Sequence, residues 1–132
     1  MTNFPKSYSF GKSQERKILP ILQDFFKRDI QPFKERYSKF DYFDDEYNYE
    51  VKSRTFRFDT YPDTMITCNK LIDSSKKLIL IFNFTDIITY IEYDPQVFSL
   101  FRKKMFARSQ NVLDEKEHIF IPINQLKKLS IS

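Results

Sequence analysis

A chain of 132 residues, 41% hydrophobic and 17% aromatic, carries enough apolar surface for one packed core, and its 30% of charged residues does not make it disordered. One cysteine excludes an intrachain disulfide, one cysteine with one histidine argues against a zinc site, and one glycine rules out a glycine-rich phosphate loop. The net charge of +4, from 22 basic and 18 acidic residues, permits a polyanionic partner without demanding one.

No apolar run is long enough to span a bilayer, and "LILIF" falls far short. The opening "MTNFPKSYSF" lacks the basic-then-apolar pattern of a signal peptide. With the lone Cys68, these features predict an intracellular protein of one domain, away from the membrane.

The first predicted element is a helix, because Ile18, Leu19, Leu22, Phe25 and Phe26 share one stripe. Ser13 stands where a cap is needed, with Gln14 and Glu15 in the first turn. Pro20 removes a bond to the Arg16 carbonyl and predicts a kink. "SKFDYF" and "YEVKSRTF" read as strands, and the polar "DDEYN" between them makes a hairpin. "TMITCNKLIDSS" reads as a short strand with a helical turn. "KLILIFNF" is apolar almost throughout, as a central strand covered on both faces should be, and "DIITYIEYD" should pair with it. "HIFIPINQL" reads as a last strand leading into a short helix. A helix, then about five strands with little helix between them, is an α+β arrangement.

Within this order, "NYEVKSRT" places Glu50 and Lys52 two apart on one strand, hence on one face. The pattern recurs at Asp114 and Lys116, about as often as chance supplies it, so its surroundings must decide. A turn centred on Asp45 and Glu46 sets Asp41 directly opposite Glu50. That register divides Lys39, Asp41, Phe43, Asn48, Glu50 and Lys52 from Phe40, Tyr42, Tyr49 and Val51 on the other face. Opposed carboxylates repel, and either Lys52 or a divalent cation would relieve them; the bland alternative is a solvated outer face. Extending the first helix's apolar stripe back one turn reaches Glu15, near the positive end of the helix dipole, where a carboxylate also serves simply to stabilise the helix.

"GKSQERKILPILQDFF", "FDYF" and "YEVKSR" together resemble the core of the PD-(D/E)XK nuclease superfamily, particularly its small Holliday-junction-resolvase-like members. A helix with Glu, a hairpin strand with Asp and a second strand with Glu-x-Lys match in order and spacing over residues 11 to 56. The family's Pro is replaced by Phe40, and "YPDT" comes after Glu-x-Lys and is a decoy.

The resemblance implies a restriction-endonuclease-like fold and a metal-dependent DNA endonuclease acting on duplex or branched DNA. Asp41, Glu50 and the Val51 carbonyl would hold Mg²⁺, or Mn²⁺ in its place, with Glu15 assisting. Lys52 would orient the attacking water or steady the transition state. Asn69 or Lys70, just past the third strand, would approach the site. Lys12, Arg54, Arg102, Lys103 and Lys104 are the further basic candidates for contact with nucleic acid, and a homodimer is the expected way for so small a domain to cut two strands. "FRKKMFAR" reads equally as a phosphate-contacting strand or as an edge strand protected by its charges. Cys68 and His118 as nucleophile and base lack any third group to orient them. The alternative to an enzyme is an inactive nuclease-like module that binds nucleic acid or protein.

Overall fold

The computed structural model describes residues 17–35, 38–71, 76–106 and 116–129. Helix α1 covers residues 17–26 and runs on through Pro20; the carbonyl that this proline orphans, that of Arg16, lies outside the described residues. Lys27 ends the helix at φ 54°, a left-handed conformation that usually falls to glycine.

The strands follow as β1 (Gln31–Pro32), β2 (Tyr42–Phe43), β3 (Tyr47–Ser53), β4 (Asp63–Thr67), β5 (Lys77–Asn83), β6 (Ile88–Glu92), β7 (Lys103–Phe106), β8 (Lys116–Pro122) and β9 (Lys127–Lys128). A 3₁₀ turn (Cys68–Lys70) follows β4, helix α2 (Pro95–Phe98) follows β6, and a second 3₁₀ turn (Ile123–Gln125) follows β8. Pro95 begins α2, and the Asp94 side chain caps it by accepting from the Gln96 N–H.

Two sheets form instead of one. The larger has the order β1-β2-β3-β5-β6-β9 and is mixed: β3 and β5 are parallel, and every other pair is antiparallel. The smaller has the order β4-β8-β7 and is antiparallel. β5 explains how the layers meet. Its Ile79 and Ile81 join Ile18 and Leu22 of α1, with Tyr49 and Val51 of β3, in one cluster. Its Leu78, Leu80 and Phe82 join Ile66, Ile119 and Ile121 of the smaller sheet in the other. The main sheet is thus covered by α1 on one face and by the second sheet on the other. Burying side chains such as Leu22 and Ile81 contributes roughly 1.5–3 kcal/mol each.

The hairpin register is as expected, with Tyr42 opposite Tyr49 and Phe43 opposite Asn48. Two assignments need correction: the ladder ends at Tyr42, so Asp41 is not paired opposite Glu50, and Phe40 changes face. Phe40 does not share the face of Tyr42, Tyr49 and Val51 but packs in the cluster on the opposite side. The Asp41 N–H donates to the Tyr49 carbonyl at 3.0 Å, one residue out of step with the ladder. Such a step breaks the alternation of side chains, so the residue before it changes face. "HIFIPINQL" also needs two corrections: β8 belongs to the second sheet, and the short β9 follows it to close the edge of the first. Among the described residues no helix is long and apolar enough to cross a membrane.

Candidate functional site

The polar residues of β3 occupy an unusual place. Glu50 pairs in register with Leu80 and Lys52 with Phe82, so both point toward the face covered by the second sheet. Glu50 is 3% exposed, which makes it a carboxylate inside a core rather than on a solvated strand. The bland reading of the hairpin as a washed outer face therefore fails at Glu50.

Asp41 stands just before β2. Its Oδ2 accepts the Val51 N–H at 2.7 Å, so its carboxylate replaces a strand carbonyl at the point where the ladder ends. That fixes the side chain against the middle of β3, where it raises the pKa of the Glu50 carboxyl. Lys70 arrives from the 3₁₀ turn after β4. Its Nζ lies 3.0 Å from Glu50 Oε2 and donates to the Lys39 carbonyl at 2.8 Å. Lys52 Nζ is 3.8 Å from the same Oε2.

Two ammonium groups at ion-pair distance do not satisfy this oxygen. Among the described residues no donor reaches Glu50 Oε2 with hydrogen-bond geometry, and it is the buried side-chain oxygen left without a bond. Ion-pair distance and bond direction disagree here, and direction decides: charge neutralises the oxygen in part while its lone pairs stay unfilled. Burial, and then the hydrogen bond and negative charge of Asp41, push the Glu50 carboxyl up to about 8, against the pull of Lys52 and Lys70. Burial lowers the Lys52 ammonium, and Lys70 and Arg54 lower it further, while Glu50 holds it up.

The expected residues divide as follows. Asp41, Glu50, Lys52 and Lys70 come together, with the Val51 backbone held between them by Asp41. Glu15 and Lys12 lie outside the described residues, as do the capping group Ser13 and Asp114. Asn69 is exposed beside Lys70. Arg54 bridges the two sheets, its Nε donating to Thr64 Oγ1 at 3.2 Å and its Nη2 to the Met65 carbonyl at 2.6 Å. Arg102 pairs with Asp63 at 3.6 Å and lies over the Phe120 ring at 4.2 Å. Lys103 and Lys104 are exposed on β7, the edge strand of the second sheet, which agrees with the protected-edge reading of "FRKKMFAR". Asp63 of "YPDT" opens β4, and its carboxylate serves Arg102 rather than the cluster. Burial pushes the Cys68 thiol up, which makes it a poor nucleophile.

Sequence reasoning missed a second buried carboxylate, Asp44. Its Oδ1 accepts the N–H groups of Glu46 and Tyr47 at 2.8 and 2.7 Å. Its Oδ2 accepts from Arg28 Nε at 2.6 Å and from the Tyr49 hydroxyl at 2.5 Å. The signal was present in "DDEY", since an Asp two residues before a turn N–H commonly bonds it.

As a metal centre the cluster is small. Among the described residues no group of three His, Cys, Asp or Glu side chains converges. Asp41 and Glu50 still offer only oxygen ligands, and Mg²⁺ commonly takes one or two carboxylates and fills its shell with water and substrate oxygens. The unfilled Glu50 Oε2 is the lone-pair site such an ion would use, so the residues present fit the group. Compared with known proteins, the chain matches no protein-family model, no curated protein and no solved structure.

Proposed function

We propose that this chain is a metal-dependent DNA endonuclease of the restriction-endonuclease-like kind, with its chemistry on the β2–β3 hairpin. The observation that carries the reading is the buried, unbonded Glu50 Oε2 beside Asp41, flanked by two lysines. A buried carboxylate oxygen without a hydrogen bond costs on the order of 1–3 kcal/mol, a cost that persists where function needs the oxygen open. Asp41 and Glu50 would hold Mg²⁺, with the Val51 carbonyl as a third oxygen. When bound, the ion lowers the pKa of a water and offsets the charge that builds on the phosphate.

The other roles belong to the chain's own groups. Lys52, partly buried and with its pKa lowered, is suited to accept a proton from the attacking water or to hold it in line. Lys70, fixed by the Lys39 carbonyl, supplies a stationary positive charge toward the scissile phosphate. The Asp41 bond to the Val51 N–H keeps its carboxylate in place without reorganisation.

A second reading has its own support. Lys70 at 3.0 Å already sets a cation against Glu50, the arrangement expected of an inactive relative that only binds nucleic acid or a protein. Cleavage of plasmid, linear duplex and branched DNA in Mg²⁺, Mn²⁺ or EDTA separates the two. Under the first reading, Glu50→Ala and Lys52→Ala each lower metal-dependent cutting by roughly 10²–10⁴-fold without loss of folding. DNA binding by the folded wild type without cutting in either metal favours the second.

A further inference from the structure

A cavity of about 310 Å³ is bordered by Phe56, Tyr61, Met65 and Phe120, with Arg54 and Asp63 as its charged members. Its size is at the lower end of ligand pockets, which run roughly 300–1,000 Å³. Three aromatic side chains bordering one small space is an arrangement with a use. The Phe56 and Tyr61 rings meet edge to face at 4.9 Å, and Tyr61 is 54% exposed although it borders an apolar recess. Phe120 is already covered at 4.2 Å by the Arg102 guanidinium, so planar cationic and aromatic groups stack here.

The pocket is tied to the candidate catalytic cluster through Arg54. That residue follows Lys52 by two positions, its charge acts on Lys52, and its side chain is anchored to Thr64 and Met65 of β4. Two residues span at most about 7 Å, so a polymer held at Lys52 lies close to a side chain that borders the pocket. Arg54 and Arg102 give that region positive charge to suit a phosphodiester, while the recess itself is apolar.

The geometry points to a pocket for one unpaired nucleobase of the DNA strand, stacked against Tyr61 and Phe56, with the Asp63 carboxylate accepting from an exocyclic amino group. The choice of polymer rests on the nuclease reading, and the pocket deepens that reading. It makes the substrate DNA with a base free to leave the stack, as at a bulge, a flap or a branch point. Base–aromatic stacking is sequence-tolerant, and Asp63 adds a preference for the bases with an exocyclic amino group, adenine, cytosine and guanine, over thymine.

The test compares binding in EDTA, where cutting is suppressed. The full chain is titrated against three duplexes: one with a single unpaired adenine, one with an abasic residue in its place, and one fully paired. Wild type is expected to bind the unpaired adenine on the order of tenfold more tightly than the abasic duplex. Tyr61→Ala, at an exposed position, brings that ratio close to one and leaves affinity for the paired duplex unchanged. Asp63→Asn keeps the stacking preference and loses discrimination against an unpaired thymine. Equal binding of adenine and abasic duplexes by the wild type overturns the pocket, as does a ratio that survives Tyr61→Ala. Cutting without base discrimination removes the pocket and keeps the nuclease; discrimination without cutting in Mg²⁺ keeps the pocket and removes the nuclease. If no DNA binds, both are wrong.

Discussion

The β2–β3 hairpin buries two carboxylates to almost the same degree, Asp44 at 4% exposure and Glu50 at 3%, and treats them in opposite ways. Asp44 sits at the turn. Burial alone would raise its pKa, but bonds from Arg28, the Tyr49 hydroxyl and the N–H groups of Glu46 and Tyr47 hold it down at about 2. Glu50 sits at mid-strand, and burial with Asp41 beside it drives its pKa the other way. At Asp44 every oxygen is filled by the protein, which is how a structural acid looks. Glu50 has two lysines within ion-pair distance and an oxygen still without a hydrogen bond. Depth of burial therefore says little about a polar group; what separates structure from site is whether the fold completes its bonding.

The contrast breaks most visibly under substitution. Asp44→Asn loses the ion pair to Arg28 and the bond from Tyr49, which ties α1's end and the turn to the sheet. It is expected to cost about 2–3 kcal/mol in urea unfolding. Arg28 is itself raised by its bond to Asp44, so Arg28→Ala should cost a similar but smaller amount, because its side chain is partly exposed. Glu50→Gln should cost nothing below pH 4.5, and between there and pH 8 it should stabilise the metal-free protein increasingly relative to wild type, by at most about 1.4 kcal/mol per pH unit. Equal destabilisation by Asp44→Asn and Glu50→Gln would erase the distinction drawn between the two.

Titration sharpens it, because the two acids have opposite signs. Asp44 is depressed from 3.8 to about 2, so its contribution is present above 3.8 and lost as pH falls toward 2. Glu50 is raised from 4.5 to about 8, so its contribution is full below 4.5 and is lost as pH rises through 8. Stability of the metal-free wild type should fall below pH 3.8 through Asp44 and between pH 4.5 and 8 through Glu50, levelling off above 8. Asp44→Asn should flatten the acid limb alone and Glu50→Gln the limb between pH 4.5 and 8 alone, as read by thermal melts from pH 2.5 to 9. A divalent cation must displace the proton that Glu50 keeps at neutral pH, so Mg²⁺ should stabilise the wild type more at pH 8 than at pH 6.

Which of these features could be read in the sequence follows from how local their causes are. The α1 stripe, the hairpin register and the central β5 rest on short-range periodicity, and Ile18, Tyr42 opposite Tyr49, and the run "LILIF" express it directly. Glu50 and Lys52 on one face followed from strand alternation, and Lys70 from the resemblance, whereas Asp41 reaches Glu50 through its side-chain bond to Val51 and not through the register. What escaped was set by tertiary contact. Nothing in "KFDYF" shows that Asp41 steps out of the ladder and sends Phe40 to the other face. The split into two sheets depends on β4 choosing β8 over the main sheet, a long-range pairing that strand propensity does not encode. The recess at Phe56, Tyr61 and Phe120 joins two segments far apart in sequence, residues 54–65 and Phe120, so aromatic content alone pointed only to a core.

The smallest effect concerns the entry to the hairpin. Lys27 holds φ 54° at the end of α1, immediately before Arg28 reaches across to Asp44. For a residue with a Cβ this conformation costs roughly 1–2 kcal/mol, and glycine adopts it freely while giving back some of the difference in unfolded-state entropy. Lys27→Gly should therefore stabilise the protein by about 0.5–1 kcal/mol in urea unfolding. Lys27 is exposed, and among the described residues its side chain bonds the Asp24 carbonyl at 3.5 Å, so little else is lost. The strain is tolerated because the turn delivers Arg28 to a fully bonded acid. Relieving it should leave the Glu50 limb of the pH profile untouched, whereas a shift in that limb would mean that the two acids are coupled through the hairpin.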